Sequence, residues 1–66
     1  MISYSKLWRF LDRRHIQPKD LCTLANISYS TLRMMKNNQP VRLDVLHRIC
    51  EALNVDIGDV CSFRRV

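Results

Sequence analysis

An all-α domain of five short helices is the fold class that this sequence predicts, and three observations predict it. Apolar residues recur at three- and four-residue spacing through most of the chain, as in Tyr4-Leu7-Trp8-Leu11 and Leu43-Leu46-Ile49-Cys50-Leu53, which is the period of one helix face. The breaks between these segments are short and carry Pro18, Asn26, Asn37-Asn38-Gln39-Pro40 and Asn54, residues that start or stop helices. One glycine and two prolines among 66 residues supply too little turn chemistry for a β barrel. A chain of this length makes one domain, residues 1–66, and buries only about 60% of its unfolded surface. Large cofactor folds and deep substrate pockets are excluded on size.

The first helix is expected at about 4–14, with Tyr4, Leu7, Trp8 and Leu11 inward and Lys6, Arg9, Asp12 and Arg13 largely between them. Tyr4 and Trp8 read as core, because a small domain needs large side chains to fill its centre. The second helix, about 18–25, opens on Pro18, whose missing N–H is no loss in the first helical position. Gln17 is a poor cap, and Asp20 compensates by meeting the free amides of the first turn. Leu21, Leu24 and Ala25 are the inward candidates, with Cys22 small enough to allow close helix contact. Asn26 supplies a left-handed turn in a chain nearly devoid of glycine.

Ser28 caps the third helix, about 28–36, through the amide of Ser30 or Thr31. Leu32 and Met35 face inward there, and Ile27 closes the turn. The fourth helix, about 43–53, has the cleanest apolar stripe, with Asp44 near its first turn to suit the helix dipole. The fifth, about 57–61, is capped by Asp56, with Asp59 three residues on and Ile57 and Val60 inward. The tail from Ser62 to Val66 carries no strong signal.

Charge is unevenly spread. The net charge is +5, but residues 1–42 carry a balance of +6 and residues 43–66 a balance of −1. A basic first two-thirds favours a polyanionic partner and marks which part would meet phosphates. Apolar runs never exceed two residues, so neither a membrane span nor a signal peptide is present, and a cytoplasmic location is expected. The cysteines at 22, 50 and 61 are odd in number and widely spaced, unlike a disulfide framework or a zinc site. Cys22 and Cys50 read as small buried hydrophobes, whereas Cys61, near the chain end, is open to a redox role. His15 and His47 have no serine, cysteine or carboxylate arranged for catalysis, and no glycine-rich phosphate loop or HExxH occurs. Neither an enzyme nor a metal or cofactor site is expected.

The informative constellation is helix, tight turn, helix over about 18–36. Leu21, Cys22 or Ala25, Ile27, Leu32 and Met35 can lock the pair, leaving an outer face on the second helix for a groove of DNA. On these residues, and on the later Val45–Leu53 stripe followed by Ile57-Gly58-Asp59, the chain resembles the small regulators of the lambda-repressor and Cro type, also called the xenobiotic-response-element family. The resemblance runs from about Ile2 to Phe63. Leu21-Cys22 stands where the family usually has Leu-Ala, and Asn26 where it often has Gly.

The resemblance implies a compact five-helix lambda-repressor-like domain that binds double-stranded DNA in a sequence-specific way, as a homodimer repressing transcription. It implies base reading by Tyr29, Ser30, Arg33 and Met34. Phosphate contacts are implied for Gln17, Lys19, Lys36, Asn37, Asn38 and Arg42. Gln17-Pro18 departs from the family's commoner Thr or Ser followed by a polar residue. Each residue also has a plainer role open to it: Arg33 and Lys36 as solvated helical cations, Ser30 as a first-turn residue, Tyr29 and Met34 as packing. Val45, Ile57, Val60, Phe63 and Val66 are surplus apolar residues for a dimer interface, or else they close the monomer core. No small-molecule effector is expected. Two other functions fit the same fold: a protein-interaction or antitoxin-like module working through the apolar C-terminal part, and a sequence-blind nucleic-acid binder.

Overall fold

The computed structural model describes residues 1–64. Four α-helices follow a two-residue strand: β1 (Ile2–Ser3), α1 (Ser5–Arg13), α2 (Pro18–Ala25), α3 (Tyr29–Lys36) and α4 (Leu43–Leu53). A single 3₁₀ turn (Ile57–Asp59) and a second short strand, β2 (Ser62–Phe63), complete the chain. The expected count of five helices is therefore corrected to four. The segment at 57–61 is a single turn, capped at its start by two aspartates and closed at its end by the Val60 and Cys61 amides, which both donate to the Ile57 carbonyl. The Asp56 carboxylate accepts the Ile57 amide at 2.8 Å, and the Asp59 carboxylate accepts the Asp56 amide at 3.1 Å. Beyond Val60 the backbone turns extended and pairs antiparallel with β1, Ile2 opposite Phe63 and Ser3 opposite Ser62.

All four helices end in the same way, without glycine. His15, Asn26, Asn38 and Asn54 adopt φ of 58°, 55°, 55° and 56°, the left-handed conformation that closes a helix. In each case the next residue donates its amide back to a carbonyl of the last turn: Ile16 to Leu11, Ile27 to Cys22, Gln39 to Met34 and Val55 to Cys50, at 2.9–3.1 Å. Three of these four donors are β-branched hydrophobes that cover the helix end, the usual companion of this motif.

The core is built from Tyr4, Leu7, Leu11, Leu21, Met35, Ile49 and Val60, all at most 2% exposed, with Ala25, Ile27, Leu32, Val45 and Leu46 around them. Three residues expected inward lie outside, Ile57 on the 3₁₀ turn (40% exposed) and one each on α2 and α4. Leu24 is 55% and Leu43 74% exposed, because at about 100° per residue each sits at the edge of the arc its helix buries. In α4 the arc is centred between Leu46 and Ile49 and takes in Val45 instead. Trp8 is half-buried rather than central, whereas Tyr4 is fully buried and precedes α1 rather than lying within it. The Tyr4 hydroxyl donates to the Gln39 carbonyl at 2.7 Å, tying the start of the chain to the α3–α4 loop. Among the described residues no helix is long and apolar enough to cross a membrane.

Candidate nucleic-acid interface

Two short helices and a fixed corner make the site. Asn26 turns the chain, Ile27 is buried at the corner, and the Ser28 hydroxyl accepts the Thr31 amide at 3.1 Å to start α3. The Thr31 hydroxyl shares a hydrogen with Ser28 Oγ at 2.9 Å. The corner is also held from α4: Arg48 donates to the Asn26 carbonyl at 2.9 Å and to Asp44 Oδ2 at 3.0 Å. That bond from Arg48, with help from the charge of Arg42, keeps the Asp44 carboxyl below the usual carboxylate range.

Helix α3 buries Leu32 and Met35. With about 100° between successive residues, the opposite side is centred on Ser30 and flanked by Arg33 and Met34, with Tyr29 at its start. All four are exposed, Tyr29 to 64% and Met34 to 40%. The four residues named for base reading thus share one outward surface of one rigid helix. Arg33 and Lys36, like Lys19 on the first turn of α2, have no carboxylate partner among the described residues.

The residues named for phosphate contact spread around this surface. Gln17 is exposed ahead of α2, its amide donating to Asp20 Oδ2 at 3.3 Å. Lys36 and Asn37 are exposed at the end of α3, and Asn38 is half-buried in the left-handed turn beyond it. Arg42 differs from the others, since its Nε lies 3.2 Å from Asp44 Oδ1 and part of its charge is already met.

The residues named for self-association divide. Val45 and Val60 are 8% and 0% exposed and belong to the core, while Ile57 and Phe63 are 40% and 84% exposed; Val66 lies outside the described residues. Leu43 was not singled out for this surface, yet it lines an apolar groove of about 350 Å³ with Ile57, Phe63 and Ile2. Its place on the helical stripe pointed inward, and only the true phase of α4 turns it out.

No group of three or more potential metal ligands occurs among the described residues. The thiols of Cys50 and Cys61 are half-buried, and burial pushes both upward, away from the reactive thiolate.

Residues 6–64 match the family model of the Cro/C1-type helix-turn-helix DNA-binding domain. The crystal structure of the transcriptional regulator VanUg is similar, with a TM-score of 0.89 and 39% sequence identity over 92% of this chain and 81% of that one. No curated protein matches significantly in sequence. The match spans nearly the whole chain and contains the corner at Asn26 and the outward α3. The chain belongs to the Cro/C1-type helix-turn-helix DNA-binding domains and is a helix-turn-helix transcriptional regulator.

Proposed function

We propose that this chain is a cytoplasmic repressor, a single domain over 1–66, that reads double-stranded DNA as a homodimer with no cofactor or small-molecule effector. The observation that carries the reading is the outward face of α3, where Ser30, Arg33 and Met34 stand together and Arg33 has no carboxylate partner among the described residues. Inserted in the major groove, Arg33 can donate two hydrogen bonds to guanine O6 and N7. Ser30 can bond a base edge, and Tyr29 and Met34 can touch a thymine methyl. Gln17, Lys19, Lys36, Asn37, Asn38 and Arg42 hold phosphates and fix the register.

Self-association would use the apolar groove between Leu43, Ile57 and Phe63. Its occupant is a second copy. No residue lining the groove is charged, and all but Ile2 come from the part of the chain with a balance of −1, while residues 1–42 carry +6, so two like-charged copies repel least when they meet there. Two copies would read half-sites about one helical turn apart.

Selection of bound duplexes from a random library tests the reading. Arg33→Ala should relax preference at one or two base pairs, and Lys36→Ala should weaken every duplex alike. An equal loss on all duplexes for both variants would make Arg33 a phosphate contact. No preference in the wild type would leave a sequence-blind binder.

A further inference from the structure

We infer that the cleft between the end of α3 and the paired chain termini is a binding site for a backbone phosphodiester of DNA, with Arg64 as a cation that sequence reading passed over. The inference rests on the DNA-binding reading above. The cleft has a volume of about 490 Å³ and is lined by Lys36 and Asn38 from the end of α3, Ser5 and Trp8 from α1, and Ser62 and Arg64 from the terminal ribbon. Two cations, an amide and the hydroxyls of Ser3, Ser5 and Ser62 line it, and no lining residue is a carboxylate. This is the donor set that a phosphate oxygen needs.

Four cations elsewhere are engaged: Lys6 donates to the Gly58 carbonyl, Arg42 and Arg48 meet Asp44, and Arg14 lies over the Phe10 ring. Lys36 and Arg64 have no carboxylate partner among the described residues, and neither have Arg9, Arg13, Lys19 and Arg33. Ser3 donates its hydroxyl hydrogen to Ser5 at 3.2 Å, which leaves the Ser5 hydrogen free for a ligand. Pairing of β1 with β2, and the Arg64 amide donating to the Met1 carbonyl at 2.6 Å, fix the backbone that carries the guanidinium. The cleft is open to solvent and abuts the last turn of α3, so a strand bordering the occupied groove would run past it. That placement selects a polymer phosphate over a free anion.

The full chain tests this on a mixed-sequence duplex followed by fluorescence anisotropy across a series of salt concentrations, with Trp8, the single tryptophan, as an internal reporter. Arg64→Ala should weaken binding several-fold at moderate salt, equally on selected and mixed duplexes. It should also lower the slope of log affinity against log salt by about 0.9, the value of one lost phosphate contact. Arg64→Lys should keep the slope. Duplex should change Trp8 emission in the wild type, and less so in Arg64→Ala, while millimolar inorganic phosphate should not. Thermal melting of Arg64→Ala should match the wild type, since the ribbon is held by backbone groups.

An unchanged slope in Arg64→Ala, with wild-type binding intact, would overturn this site and leave the DNA-binding reading standing. So would a response to inorganic phosphate with the same dependence on Arg64. A wild type that shows no salt-dependent binding to any duplex would sink both.

Discussion

Arg48 does more for the site than its exposed position suggests. Its guanidinium bonds the carbonyl of Asn26 and the carboxylate of Asp44 at once, so a side chain of α4 sets the angle between α2 and α3. Arg48→Ala should therefore weaken DNA binding without removing a DNA contact, and amide hydrogen exchange around Asn26 and Ile27 should quicken. Asp44 gives this arrangement a pH dependence. Its carboxyl titrates below the usual range when folded, so its stabilisation is present above the unfolded value and lost as pH falls through the folded one. Melting of the wild type against Asp44→Asn should show a gap at pH 7 that closes toward pH 3. Tyr4→Phe removes the bond to the Gln39 carbonyl and should cost about 1 kcal/mol, seen as a lower denaturation midpoint with an unchanged slope. The bonds of Arg48 to Asn26 and of Tyr4 to Gln39 could not be read from the sequence, because they join residues 22 and 35 positions apart. Asp44 and Arg48, by contrast, lie four apart on one helix, a spacing at which opposite charges meet.

The elements themselves were far more legible, and the reason lies in how locally each is specified. Pro18 and Asp20 at the start of α2, Ser28 before α3 and Asn54 after α4 mark boundaries through their own backbone chemistry, and the helices begin or end beside them. Failures came where one turn had to choose between alternatives. Asp56 and Asp59 signal a helix start equally well for a 3₁₀ turn, and only the pairing of Ser62–Phe63 with Ile2–Ser3 decides how soon the chain must straighten. Strands of two residues carry no periodicity to detect. The outward phase of Leu43 was hidden for a similar reason, since a residue at a helix edge fits the apolar stripe in sequence and misses it in space. His15 is exposed and occupies the left-handed position that closes α1, a role that no glycine or asparagine marked in advance. A β-carbon there costs about 1–2 kcal/mol unless the side chain is Asn, Asp or Gly, so His15→Gly should stabilise the chain by roughly 0.5–1 kcal/mol after the unfolded-state entropy is counted. That corresponds to a melting temperature higher by about 3–6 °C, and a fall on this substitution would show that the histidine side chain makes a contact of its own.

At the scale of the whole molecule, charge and apolar surface fall in different parts. The positive balance belongs to residues 1–42 and includes α2 and α3, whereas Leu43, Ile57 and Phe63 expose their side chains on the near-neutral remainder. DNA would be met by α2, α3 and Arg64 and a second copy by Leu43, Ile57 and Phe63, so the two surfaces adjoin at the terminal ribbon, where Ser62 lines both clefts. Phe63→Asp should shift the sedimentation mass of the free protein toward the monomer while leaving the helical signal in circular dichroism intact. It should also weaken binding to a paired half-site far more than to a single one. The outward face of α3 was visible in the sequence as the positions left over by Leu32 and Met35, whereas the cleft at Arg64 needed both chain ends brought together.

Interference by guanine methylation tests the placement of α3 most directly. Methyl groups on guanine N7, in the major groove, should block wild-type binding at guanines clustered in two places about one helical turn apart, and Arg33→Ala should relieve the block at the guanine it reads. Interference confined to adenine N3 in the minor groove, or the same pattern in the wild type and Arg33→Ala, would contradict an α3 that reads bases through Arg33.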